Sequence, residues 1–235
     1  MGKKLELTAR LQMVADLVPD GARLADIGTD HAYLPTALML EGKISTAIAA
    51  DLRQGPLDRA KATVQNYGLQ GKIGFRLCDG LKGIRPEEAD TVVIAGMGGE
   101  TISMILQAAT WTRENGTTLV LQPMSSMLEL RVWLEENGYQ ILSEHLAQEG
   151  DTLYTAFLVQ AGEMSALTPA ERWVGRNHSA PLRKAWIEHW EHRIRRAKEG
   201  MERSKQETIQ HQIKELEEIL KELGSMKEEW LRWQP

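Results

Sequence analysis

The sequence predicts an α/β protein: a mostly parallel sheet followed by a helical appendage. Short apolar runs recur through the first two thirds, each closed by Asp or Gly and most followed by a helical pattern. Two later runs, Tyr139–Ala147 and Thr152–Val159, are joined by only four residues and so pair antiparallel. Beyond residue 167 the apolar spacing changes to the alternating 3 and 4 of packed helices.

A chain of 235 residues holds one α/β domain and a smaller addition. Apolar content of 42% and charged content of 26% describe a soluble globular protein. No apolar run reaches membrane length, and Met1-Gly2-Lys3-Lys4 lacks the apolar core of a signal peptide. The single cysteine, Cys78, excludes an intrachain disulfide, and no metal-ligand cluster is spelled out. A cytoplasmic protein without metal or membrane partner is expected. Net charge is −5, but residues 172–205 carry ten basic against four acidic side chains, net +6, which leaves −11 for the rest. A local basic face on an acidic body can still meet phosphates.

Residues 5–18 have helical spacing and end at the turn Pro19-Asp20-Gly21. Arg10 lies opposite the apolar stripe, either solvated or clamping a phosphate or carboxylate. The central stretch is Arg23–Pro35, R-L-A-D-I-G-T-D-H-A-Y-L-P. Leu24, Ala25 and Ile27 form a buried strand, Asp26 and Gly28 break it, and a helix starts near Tyr33 with Pro35 in its first turn. Strand, glycine turn and helix build a cofactor cradle at the carboxyl end of a parallel sheet. The dinucleotide fingerprint is incomplete, because Asp30 and Ala32 stand where the second and third glycines belong. Asp30 would repel a pyrophosphate but accept from an ammonium, which favours S-adenosylmethionine over NAD. The alternative is an ordinary strand–turn–helix with a helix-capping Asp.

Ser45–Asp51 is a second strand, and Asp51 stands where an acid binds vicinal ribose hydroxyls. Capping of the next helix, Pro56–Tyr67, is its alternative role. Ile73–Leu77 is a third strand, followed by Cys78-Asp79-Gly80; Asp79 can accept from an adenine amino group, or the pair can simply turn the chain. Thr91–Ala95 is continuously apolar and therefore central. It enters Gly96-Met97-Gly98-Gly99, and a helix follows from Thr101. Three glycines in four residues sacrifice backbone entropy, for which close approach of a ligand is the economical reason. Thr117–Leu121 is a fifth strand and Met127–Asn137 a helix, so the sheet has seven strands with the last connection reversed. Gly162–Leu167 is the boundary.

Thr168-Pro169-Ala170-Glu171 is a capping box. Trp190, Ile194, Ala197 and Met201 form one stripe, and Ile209, Ile213, Leu216, Leu220 and Leu223 another. The register break between them predicts an antiparallel hairpin turning near residues 200–206, with Met226, Trp230 and Trp233 packed against its base. His189 and His192 lie one turn apart but lack a third ligand, so a core-edge or solvated role is expected.

These motifs resemble the bacterial tRNA (adenine(22)-N1)-methyltransferase family. The resemblance rests on A-D-I-G-T-D-H-A-Y-L-P, A-A-D at 49–51, C-D-G at 78–80, I-A-G-M-G-G-E-T-I at 94–102 and L-Q-P-M at 121–124. It implies a Rossmann-like class I methyltransferase seven-stranded sheet over residues 1–163 and a C-terminal antiparallel helical hairpin, a coiled coil, over 164–235. It further implies S-adenosylmethionine as cofactor and tRNA as partner. Gly28 and Asp30 would line the methionine end, Asp51 would take the ribose, Asp79 and Gly80 the adenine, and Gly96, Met97 and Gly98 the floor below the methyl group, with Asp26 and Leu52 also counted among the cofactor-binding residues. Exocyclic-amine enzymes of this class place Asn or Asp after the fourth strand, where this chain offers no side-chain acceptor, so ring N1 is the expected target. An acceptor for the N6 hydrogen would raise N1 nucleophilicity, with Asp30 the first candidate, His31 the second, and Tyr33 a stacking face for the base. Asp30 cannot serve both ammonium and base at once. Arg10, Arg193, Arg195 and Arg196 are the expected RNA contacts. Two other readings compete: a small-molecule methyltransferase dimerising through its hairpin, and a non-catalytic module presenting the hairpin to a protein.

Overall fold

A computed structural model describes residues 4–114, 116–176, 181–202 and 207–233, with the side chains of 207, 208 and 233 left out. The chain divides into two compact units, Met1–Met164 and Ser165–Pro235.

In the first unit the elements run α1 (Ala9–Leu17), β1 (Ala22–Ile27), α2 (Tyr33–Leu40), β2 (Ile44–Asp51), α3 (Gln54–Asn66), β3 (Ile73–Leu77), β4 (Thr91–Gly98), α4 (Gly99–Gln107), α5 (Trp111–Glu114), β5 (Thr118–Ser125), α6 (Met127–Glu136), β6 (Tyr139–Glu149) and β7 (Thr152–Ala161). The seven strands lie in the order β3-β2-β1-β4-β5-β7-β6. The first five are mutually parallel, and β7 runs antiparallel to both β5 and β6. Strand β4 is central, as its unbroken apolar run predicts, and Val92, Val93 and Ile94 are fully buried. Alternation along β1 and β4 divides the core into two apolar layers. Leu24 and Val93 pack with α1, α2 and α3, whereas Ala25, Ile27, Val92 and Ile94 pack with α4 and α6. Each buried Val, Leu or Ile of these layers contributes about 1.5–3 kcal/mol of burial free energy.

Strand β4 runs three residues past the expected Ala95, and α4 starts at Gly99 rather than Thr101. The cause is continued pairing with β5, in which Met97 faces Pro123 and Gly98 faces Ser125 after register shifts. The short α5 and a 3-10 turn at Pro86–Glu88 were not expected; pieces of three or four residues hold too little periodicity to read.

The second unit contains α7 (Pro169–Val174), α8 (Arg183–Glu202) and α9 (Glu207–Trp233). Helix α7 begins with the expected capping box: Thr168 accepts from the Glu171 amide and Glu171 accepts from the Thr168 amide. Helices α8 and α9 are antiparallel, because Lys198 reaches Glu217 at 2.8 Å while Lys227 reaches Glu191 at 2.7 Å. The stripe on α8 is rotated from the expected one. Trp186, Ile187, Glu191 and Ile194 are buried, and Ala197 is exposed. The Glu191–Lys227 ion pair occupies a core-facing place that an apolar period does not reveal. Residues 203–206 of the expected turn, and the Trp233 side chain, lie outside the described set. Among the described residues no helix is long and apolar enough to cross a membrane.

Candidate active site

The turn after β1 is held in unusual backbone geometry. Gly28 has φ +74°, and two non-glycine residues, Asp30 and Ala32, also have positive φ, of 47° and 53°. Such conformations carry a steric penalty and persist where surrounding contacts enforce them. Here the Gly28 and Thr29 amides both donate to the Ala50 carbonyl, at 2.8 and 3.0 Å, and Ala32 donates to Thr29. Asp26 sits buried beneath the turn and accepts from the Thr29 hydroxyl. Burial, reinforced by the nearby Asp51 charge and opposed by Thr29, pushes the Asp26 carboxyl up to about 6.

A cavity of about 650 Å³ opens over the carboxyl ends of β1 to β4. Its lining brings together Gly28, Asp30, Asp51, Leu52, Asp79, Gly80, Gly96 and Met97, eight of the ten residues singled out for cofactor binding. Asp26 and Gly98 do not line it. Asp26 is occupied beneath the turn, and Gly98 packs against Ser125, whose hydroxyl oxygen would lie 3.1 Å from an added Cβ. Gly99 answers to packing as well: a Cβ there would fall 2.2 Å from the Ser126 carbonyl oxygen. Of the three glycines where β4 meets α4, therefore, Gly96 alone borders the cavity, and the other two let α4 close onto the β5–α6 turn. Gly28 is required by its positive φ; an added Cβ would also overlap the Met97 methyl, which would have to swing aside.

Asp51 is largely buried, and one of its oxygens accepts from the Arg53 amide at 2.9 Å. Asp79 is more exposed, with one oxygen on Lys82 at 2.6 Å. Asp30 is already engaged: Arg59 of α3 binds one oxygen, and the His31 Nε2 lies 3.6 Å from the other. The left-handed backbone at Asp30 thus accompanies a side chain tied to α3 and His31, which conflicts with a carboxylate left open for a base. His31 and Tyr33 stack at 5.0 Å and 9°, so one face of Tyr33 is covered while the residue stays exposed. Tyr33 itself lines a separate cavity of about 400 Å³ with Leu7, Thr8, Leu11 and Tyr67.

The sequence reading missed Thr101, Met104, Ile105 and Ala108, which line the cofactor cavity from α4 and its C-terminal end at helical spacing. Their 3-1-3 spacing was the available signal. Arg53, Cys78, Leu81 and Lys82 also line it, and partial burial pushes the Cys78 thiol up.

Arg10 is half-buried rather than a free surface side chain. Its Nη1 donates to the Gln122 Oε1 at 2.8 Å, and its guanidinium lies over the Tyr154 ring at 5.8 Å. In the second unit Arg193, Arg195 and Arg196 are exposed, with Arg193 over the Trp190 ring at 5.0 Å. Other cations of that segment serve the fold. Arg183 is buried and donates to the Val174 and Gly175 carbonyls, and Arg176 pairs with Glu171. Lys198 bridges Glu202 and Glu217. Arg203 and Lys205 lie outside the described residues. His189 packs on Trp186 and Trp190, and partial burial beside Arg193 lowers its pKa. No group of three His, Cys, Asp or Glu side chains suited to a metal occurs among the described residues.

The lining suits a sulfonium nucleoside in its chemistry: Asp51 and Asp79 each have one carboxylate oxygen engaged by the protein and a second available as an acceptor, and Leu52, Met104 and Ile105 are apolar. A seven-stranded sheet with a reversed last strand, carrying these acids at its carboxyl edge, defines the class: an S-adenosylmethionine-dependent methyltransferase of Rossmann-like fold. Residues 7–157 match the family described as "Methyltransferase domain". The tRNA (adenine(22)-N(1))-methyltransferase of Bacillus subtilis (strain 168) is 40% identical over 163 residues, which are 69% of this chain and 68% of that protein. This chain belongs to that tRNA (adenine(22)-N(1))-methyltransferase family. The crystal structure of the B. subtilis tRNA methyltransferase TrmK aligns with a TM-score of 0.83 at 32% identity, covering 95% of this chain and 100% of that one. The structure of Streptococcus pneumoniae Sp1610 in complex with S-adenosyl-L-methionine aligns with a TM-score of 0.80 at 32% identity, covering 92% and 100%.

Proposed function

We propose that this chain transfers the methyl group of S-adenosylmethionine to N1 of the adenine at position 22 of tRNA. The observation that carries this reading is the single cavity into which the ends of β1, β2, β3 and β4 converge, in a chain of this family. Acting on tRNA, the enzyme would work in the cytoplasm.

The bound cofactor supplies an electrophilic methyl group on a cationic sulfur. The chain's own residues supply position and environment. Asp51 accepts from the ribose hydroxyls, Asp79 with Gly80 holds the adenine edge, and Gly28 with Asp30 borders the methionine end. Gly96 and Met97 form the floor. At the end of β4 no side chain is present to accept a proton from an exocyclic amine, which supports attack by the ring N1, whose lone pair is free at neutral pH. Catalysis then rests mainly on alignment in a water-poor space. The exposed face of the His31–Tyr33 stack suits a base extruded from its helix. Arg193, Arg195 and Arg196 hold tRNA phosphates, with Arg193 steadied over Trp190.

The test is incubation with methyl-labelled cofactor and unmodified tRNA, followed by nucleoside analysis. Label is expected only in 1-methyladenosine, and is lost when adenine 22 is replaced by guanine. Label in N6-methyladenosine, or in a second position, would overturn the reading. Replacing the three arginines by Gln is expected to weaken tRNA binding and flatten its salt dependence while cofactor affinity is unchanged.

A further inference from the structure

We infer that Arg10 receives the phosphodiester beside the extruded target adenosine, and that Gln122 is the positioning residue that holds Arg10 there. This rests on the proposed tRNA reaction and adds a contact to it.

Gln122 is fully buried, and its side-chain oxygen accepts twice, from the Gly96 amide at 3.1 Å and from the Arg10 Nη1 at 2.8 Å. Its own amide group donates to the Pro123 carbonyl at 2.9 Å, which fixes the carboxamide's orientation. The guanidinium is thereby placed directly over Gly96, where an added Cβ would lie 3.6 Å from Nη1. Gly96 borders the cofactor cavity, so this cation lies beside a cavity-lining residue, on the side from which the proposed acceptor would approach.

The guanidinium is short of partners. Among the described residues its side chain makes this one hydrogen bond, and no carboxylate lies within ion-pair distance. The Glu149 carboxylate is committed to the start of α1, where it accepts from the Arg10 backbone amide at 2.6 Å and from Thr8. A guanidinium has five N–H donors in a plane, so most of them remain for a ligand. Glu149 feels the Arg10 charge but does not contact it, and a half-buried cation with no carboxylate in direct contact remains a favourable partner for an arriving anion. Adenine is neutral and its N1-methylated product is cationic, so the base does not fit this position. The substrate's anion is its phosphodiester backbone, and planar guanidinium–phosphate pairing is geometrically favourable. The Tyr154 ring at 5.8 Å holds the plane of the fork.

The test combines Arg10→Gln and Arg10→Lys with tRNAs carrying one neutral methylphosphonate linkage on either side of adenine 22. Arg10→Gln is expected to lower kcat/KM for tRNA by about 30-fold, with S-adenosylmethionine affinity by calorimetry within twofold of the parent. One neutral linkage is expected to cost the parent enzyme as much and the Arg10→Gln enzyme nothing further, while Arg10→Lys recovers part of the loss. Gln122→Glu, which keeps the acceptor, retains this sensitivity to the linkage, and Gln122→Met loses it. Penalties that multiply between substitution and linkage overturn the proposal, as does a matching loss of cofactor affinity, which would assign Arg10 to the methionine carboxylate. A parent enzyme that methylates no tRNA removes the underlying reading as well, an outcome distinct from either.

Discussion

In the parallel half of the sheet, Asp51 ends β2 and Asp79 follows β3 at the cavity, each with one oxygen engaged by the protein and one left over. In the antiparallel half, Arg131 of α6 and Glu144 of β6 are buried together at 0% and 5% exposure, with Arg131 over the Phe157 ring at 4.7 Å. The residue types are alike and the outcomes opposite. Where the fold completes a charge's hydrogen bonds, the charge is structural; where it leaves one acceptor facing a cavity, the charge is available to a ligand. The hydroxyl pair Thr112–Tyr139, buried at 2.7 Å beside the antiparallel half, follows the first pattern.

Breaking the closed half should have the largest effect on folding. Arg131→Met strands a buried carboxylate and is expected to lower stability by about 3–5 kcal/mol in urea unfolding, with much of that recovered in Arg131→Met/Glu144→Leu. Asp26 gives the next effect, and its sign is opposite to that of a salt-bridged acid. Its carboxyl holds a proton up to about pH 6 when folded but only to about 3.8 when unfolded. The native state therefore binds more protons in that window, and the Asp26 contribution falls as pH rises from about 4 to about 6, then levels off. Glu88 and Glu149, whose pKa values are lowered by their hydrogen bonds, act the other way in acid. The measurement is consequently the stability difference between the parent and Asp26→Asn across pH, expected to shift by roughly 2–3 kcal/mol over that window. A flat difference would remove burial as the cause. The open half should respond in binding instead. Asp51→Asn is expected to weaken S-adenosylmethionine affinity by about 10- to 100-fold, the worth of charge-assisted hydrogen bonds, with little change in melting temperature. A large loss of stability with unchanged affinity would place Asp51 among the structural charges.

The strands were legible because each is a local apolar run, and β4 announced its central place by having no polar face. The cavity was legible for the same reason: an acid or glycine at the end of a run is visible without knowing its partners. Pairing was not. Arg131 and Glu144 lie 13 residues apart on different elements, and Glu191 and Lys227 lie 36 apart, so neither pair has a periodic signature. Asp30 looked open because Arg59, which holds it, comes 29 residues later on α3. The glycine run misled in part, since composition reports that a Cβ is forbidden and not whether a ligand or a neighbouring carbonyl forbids it. Gln122 stood in a noticed motif, yet its two acceptor contacts join β4, β5 and α1, which only the folded chain brings together.

The bond from the Arg10 amide to Glu149 has a consequence for how the enzyme comes into being. The ribosome makes Glu149 139 residues after Arg10, and closing so long a loop is an entropic charge that grows only with the logarithm of its length. Helix α1 therefore waits for 139 residues of synthesis without this anchor, and a nascent chain halted before the last hairpin lacks the bond that fastens the Arg10 backbone. Competence for the substrate arrives as one late event, when the end of the sheet reaches back to fasten the beginning.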